Sequence, residues 1–168
     1  MKNVIFHIDV NSAFLSWEAV YRLKNGGSVD LRDIPSAVGG DRSKRRGIIL
    51  AKSIPAKAFG VRTGEPIVDA MRKCPSLTII PSHHGMYKEF SKKFMDILRE
   101  YTPEVEKYSI DEAFMNMTGM ERLLGEPVAF AHKLKDRIRT ELGFTVNIGI
   151  SSNKLLAKMA SDFQKPDR

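Results

Sequence analysis

The chain has 168 residues, 42% hydrophobic and 28% charged, with a net charge of +7. That is enough to bury a core as one domain or a compact pair. No stretch has the length of a membrane span, and the short opening apolar run, broken by His7 and Asp9, is no secretory signal. A single cysteine, Cys74, excludes a disulfide framework and points to a reduced, cytoplasmic setting.

In chain order, Val4 to Asp9 reads as a strand, followed by a helix from Asn11 or Ser12 to Lys24 that Asn25-Gly26-Gly27 stops. Strand-like segments at 36–38 and 47–51 flank the basic, glycine-containing run Gly39 to Arg46. Short helices follow near 55–59 and 66–73, then a strand at 77–80. The periodicity predicts an amphipathic helix over 87–99, with Phe90, Phe94, Ile97, Leu98 and Tyr101 on its apolar face. A hairpin over 105–117 leads to a helix over 126–142 with Ala131, Leu134, Ile138 and Leu142 inward, then a strand over 144–150. In the last helix, 154–163, Leu155, Leu156, Met159, Ala160 and Phe163 make the expected buried stripe. The fold class is therefore α/β (α+β): a ferredoxin-like palm with an antiparallel sheet and packed helices, interrupted by a small inserted subdomain.

Two acidic patches carry the chemistry. Asp9 ends the first strand in Ile8-Asp9-Val10-Asn11, and Asp111-Glu112 sit in the hairpin within Ser109-Ile110-Asp111-Glu112-Ala113. Either patch alone reads equally as a turn cap. If the strands are neighbours, three carboxylates converge, and divalent cations relieve their repulsion while building a phosphoryl-transfer centre. Residues adjacent in a regular strand face opposite ways, so Asp111 and Glu112 share a site only if the backbone turns there. Mg²⁺ takes hard oxygen ligands, for which the Val10 carbonyl is a further candidate.

Asn11, Ser12, Ala13 and Phe14 open the first helix, where backbone N–H groups bind phosphate well. Phe14 has a core reading and a second one, stacking against a sugar and excluding a 2′-hydroxyl. Lys154 and Lys158 lie one helical turn apart, either solvated or directed at a triphosphate. Arg42, Lys44, Arg45, Arg46, Lys52, Lys57 and Arg62 are opposed in their stretch by Asp41. A solvated face is the ordinary fate of such a run, and a polyanion-binding face the alternative.

The stretches His7 to Phe14, Ala58 to Ile67, Tyr108 to Phe114 and Gly149 to Lys158, in that order, resemble the catalytic core of the Y-family (translesion) DNA polymerases. The resemblance implies a palm formed by residues 1–12 and 82–168, fingers formed by 13–81, and thumb and little-finger domains beyond this chain. It implies that Asp9, Asp111 and Glu112 hold two Mg²⁺ ions, that Lys158 contacts the dNTP triphosphate, and that Phe14 is the steric gate. Primer–template DNA is the expected partner, contacted by Arg42, Lys44, Arg45, Arg46 and Arg62, with a sliding clamp engaged through regions outside this chain. Where the family carries a tyrosine and an arginine that grip the triphosphate, this sequence has Ile54 and Lys57. Lysine keeps charge without arginine's bidentate fork, and Lys52 is a candidate to compensate. Without a duplex grip the isolated chain is expected to be a nearly inactive polymerase. A non-catalytic DNA-binding accessory and a nucleotidyl cyclase are the alternatives; the retention of all three acids and Lys158 favours the enzyme.

Overall fold

The computed structural model describes residues 3–40 and 47–163. The first strand, β1 (Ile5–Val10), leads into α1 (Ala13–Lys24), which ends at Asn25 and at Gly26 in its positive-φ conformation. Next come β2 (Ser36–Gly39), β3 (Ile49–Lys52), α2 (Ile54–Ala58), α3 (Ile67–Lys73) and β4 (Thr78–Pro81). Ser53 starts α2 by accepting a hydrogen bond from the Ala56 amide at 3.1 Å, with Pro55 in the first turn. The chain continues as α4 (His84–Arg99), β5 (Val105–Lys107), β6 (Glu112–Asn116), α5 (Glu121–Leu124) and α6 (Pro127–Leu142). It ends in β7 (Val146–Ser151) and α7 (Lys154–Asp162), the latter capped by Asn153 Oδ1, which accepts from the Leu156 amide at 2.9 Å.

These elements form two compact units, Met1–Asn11 with Lys88–Arg168, and Ser12–Tyr87. In the first, strands run in the order β5-β6-β1-β7, with every pair antiparallel. Taken with α4 and α6, this is the ferredoxin-like arrangement expected from the element order. Phe6 and Ile8 of β1 are fully buried, as are Phe94, Leu98, Leu134, Ile138 and Phe144, so the expected apolar faces of α4 and α6 are the buried ones. In the second unit, β2 lies between β3, antiparallel, and β4, parallel. Ala37, Ile49, Ala56, Ile67, Ala70 and Leu77 form its core. A polar cluster accompanies that core. Glu18, 1% exposed, accepts from Tyr87 Oη and pairs with His83 Nδ1, each at 2.7 Å. Burial and the neighbouring Glu18 carboxylate push the Tyr87 phenol far up, so it stays a donor.

One expected face is wrong. Leu155, Leu156, Met159 and Phe163 are exposed, Phe163 to 87%, and Ala160 is exposed with them. The face of α7 that meets the sheet is the one carrying Ala157 and Ser161, both buried. The reason is Gly149. A Cβ there would lie 2.0 Å from the Ala157 carbonyl oxygen and 2.3 Å from the Ser161 amide, so the helix backbone rests directly on the strand. Small residues define this contact, and a search for large apolar side chains selects the opposite face. Gly149→Ala is accordingly expected to cost about 3 kcal/mol by forcing the two backbones apart, read as a lowered denaturation midpoint; an unchanged midpoint would contradict the contact. The four-residue α5 was not expected from the sequence; it buries none of its residues and so leaves no periodic signal.

Candidate active site

The site grows from the register of β1. Asp9, 7% exposed, pairs directly across the ladder with Glu112 of β6, and on its other side with Asn147 of β7. Cross-strand partners project from the same face of a sheet, so the two acidic patches meet. The backbone turn that Asp111 and Glu112 need is present. Tyr108 and Ser109 both donate their amides to the Glu112 carbonyl, at 3.0 and 3.2 Å, closing the β5–β6 connection. Ser109 stabilises the turn through its side chain: its hydroxyl donates to Asp111 Oδ1 at 2.7 Å and accepts from the Asp111 amide at 3.3 Å. Serine as a side-chain turn former, not glycine or proline, is why this turn was hard to read. The Val10 amide donates to the Asp111 carbonyl at 3.0 Å, tying the turn to β1.

Glu112 is held by two cationic or polar groups. Lys158 Nζ of α7 bonds Glu112 Oε2, and His7 Nε2 lies 3.1 Å from the same oxygen. Burial alone raises the Glu112 pKa, but the hydrogen bonds and charges of Lys158 and His7 outweigh it and hold the carboxyl below its usual range. Burial lowers the Lys158 pKa, but the hydrogen bond and charge of Glu112, together with the Asp162 and Asp9 charges, raise it by more, so the pair is charged. The Lys158 ammonium also sits 4.9 Å from the centre of the Tyr108 ring. Lys154 pairs with Glu106 and lies over Phe114. Among the described residues, no group of three His, Cys, Asp or Glu stands arranged to hold a metal ion. Glu112 is turned onto Lys158 and His7, and Asp111 onto Ser109. The donor set still suits Mg²⁺: it consists of hard carboxylate oxygens gathered at one end of β1 and β6 beside the Val10 backbone.

In the smaller unit, Ser12 takes a left-handed backbone conformation, φ 43°, and makes no side-chain cap to α1. The first amides of a helix have no acceptor within it, so the Ala13 and Phe14 amides suit an anion. Asn11, preceding it in the larger unit, donates its side-chain amide to Thr145 Oγ1 at 2.9 Å. Phe14 is half-buried, stacked on Tyr87 with ring centres 4.7 Å apart and an interplanar angle of 17°. Lys52 donates to Thr63 Oγ1 at 3.1 Å. Burial and the nearby Lys57 charge both lower its pKa. Lys57 and Arg62 are exposed, and Ile54 is 62% exposed. Arg42, Lys44, Arg45 and Arg46 lie outside the described residues. Two residues of the site went unread in the sequence, His7 as a partner of Glu112 and Ser161 behind it. The available signal was the two-residue spacing of His7 and Asp9, which puts both on one sheet face.

Known proteins resemble this chain over most of its length. The model of the impB/mucB/samB family matches residues 8–162. A DNA polymerase IV of Clostridium acetobutylicum is 54% identical over 168 residues, covering 100% of this chain and 42% of that protein. A Y-family DNA polymerase chimera of Dbh and Dpo4 superposes with a TM-score of 0.85 at 29% identity, over 97% of this chain and 46% of the other. An insertion ternary complex of Dbh DNA polymerase gives 0.83 at 29% identity over the same shares. The chain thus spans roughly two fifths of the curated relatives it matches. No helix among the described residues is long and apolar enough to cross a membrane. The chain belongs to the impB/mucB/samB family of Y-family DNA polymerases.

Proposed function

We propose that this chain is the catalytic part of a translesion DNA polymerase, adding dNTPs to a primer 3′-end in damage tolerance. The observation that carries the reading is the cross-strand pairing of Asp9 with Glu112, with Asp111 held at the adjoining turn. Asp9, Asp111 and Glu112, with the Val10 carbonyl, are the residues that would hold two Mg²⁺ ions. Bound there, Mg²⁺ supplies Lewis-acid activation of the primer hydroxyl and neutralises charge on the leaving pyrophosphate.

The chain's own groups do the remaining work. Asp9 sits nearly buried in the ladder, which fixes its position before substrate arrives. Lys158 balances Glu112 and offers a positive charge to the triphosphate. The amides opening α1 bind phosphate oxygens, and Lys57, with Lys52 anchored on Thr63, supplies further charge where the family uses tyrosine and arginine. Phe14, braced by Tyr87, excludes a ribose 2′-hydroxyl. Primer–template DNA and dNTPs are the partners this reading requires, in a cytoplasmic setting; any sliding clamp is assigned to residues beyond this chain. Arg62 and the basic run Arg42 to Arg46 contact the DNA backbone.

Positioning of the duplex is a large share of phosphoryl-transfer catalysis. The expected result is Mg²⁺-dependent primer extension by the longer protein and very little by these 168 residues alone. A side-by-side primer-extension assay decides it. Comparable activity in the two would show that this chain holds the duplex unaided.

A further inference from the structure

His7 is a polar side chain that the proposed mechanism does not use, and it is wholly buried in β1. Its Nε2 lies 3.1 Å from Glu112 Oε2, and its Nδ1 lies 2.7 Å from Ser161 Oγ on α7. An ionised carboxylate only accepts, so Nε2 must carry the proton. A hydroxyl both donates and accepts, so Ser161 can satisfy Nδ1 in the tautomer that Glu112 requires. The Ser161 hydroxyl has one proton, which it gives either to Nδ1 or to the Lys158 carbonyl 2.8 Å away within α7, and that helix is seated on Gly149. The Phe114 ring, centred 4.8 Å away, flanks the imidazole. Asp9 and Lys158 are the other charges acting on the ring.

Lys158 shares Oε2, but it reaches it on a flexible stem that is 35% exposed. His7 is the rigid member of the pair. We propose that His7, seated on Ser161, is a positioning residue that fixes Glu112 through Oε2 and leaves Oε1 as the oxygen offered to a divalent cation. This rests on the reading of Glu112 as a metal ligand. The arrangement is that of an outer-shell partner orienting an inner one, whose loss commonly weakens metal binding by about 10- to 100-fold.

The test is Mn²⁺ affinity of the chain in the presence of a dNTP, measured by titration calorimetry, with thermal unfolding in parallel. Glu112→Gln is the reference variant and must itself weaken Mn²⁺. His7→Leu, which fills the space without a donor, is expected to weaken Mn²⁺ about tenfold. His7→Gln, which can place an amide N–H near the site of Nε2, is expected to restore most of that loss. Ser161→Ala, which removes the seat alone, is expected to cost about threefold, and it decides the matter if His7→Leu does not fold. Wild-type affinity in His7→Leu and Ser161→Ala, with Glu112→Gln impaired, overturns the role of His7 and leaves the metal reading standing. Equal losses in the leucine and glutamine variants, tracking a lower unfolding midpoint, reduce His7 to a packing residue. An unimpaired Glu112→Gln overturns the metal reading itself, and this inference with it.

Discussion

Under the proposed function, Asp111→Ala or Glu112→Ala, introduced into a polymerase containing this chain, is expected to lower the rate of primer extension by on the order of a thousandfold or more. The two residues flank one turn, and each occupies a position no neighbour duplicates: Asp111 is held by Ser109, while Glu112 faces Lys158 and His7. Groups that act as a unit lose function together, so the double variant should be little worse than either single one. The fold should persist, because neither side chain belongs to the apolar core and both are only partly buried. Single-turnover extension with matched circular dichroism reads both quantities. Near-normal extension by either folded variant contradicts the assignment.

The second large effect concerns sugar choice. Phe14 stacks on Tyr87, and Tyr87 in turn is bonded to the buried Glu18, so the ring is braced from behind. A braced wall discriminates by a clash that a mobile side chain would relieve. Phe14→Ala is expected to raise rNTP incorporation relative to dNTP by on the order of a hundredfold, with much smaller change for dNTP. The comparison is the ratio of kcat/KM values for a matched rNTP and dNTP in the wild type and the variant. An unchanged ratio returns Phe14 to a packing role, for which its contacts with Trp17 and His84 would then be the explanation.

Much of this architecture is legible in the residues because it follows from periodicity. Phe90, Phe94 and Leu98 repeat at helical spacing and are buried, as are Ala131, Leu134 and Ile138. Asp9 and Asp111-Glu112 could be placed at or near strand ends from the sequence, while the adjacency of those strands comes from the register of β1 with β6. The last helix shows the limit. Its large apolar residues Leu155, Met159 and Phe163 are exposed, since close approach over Gly149 selects Ala157 and Ser161 for the contact. Periodicity registers bulk, whereas this interface is made by its absence. The turn at Ser109 was hidden for a related reason, being made by a side-chain hydroxyl. The bond of His7 to Ser161 joins residues at opposite ends of the chain, a tertiary pairing that no local pattern encodes. The nucleotidyl cyclase alternative gives way to the family match over residues 8–162.

Asp9, Asp111 and Glu112 are proposed to form one divalent-metal centre. Its most direct test is anomalous diffraction from crystals of this chain grown with Mn²⁺ and a dNTP. Anomalous peaks are expected within ligand distance, about 2.0–2.3 Å, of carboxylate oxygens from Asp9, Asp111 and Glu112. Ordered dNTP with no manganese at these residues, or manganese bound elsewhere on the chain, would contradict it.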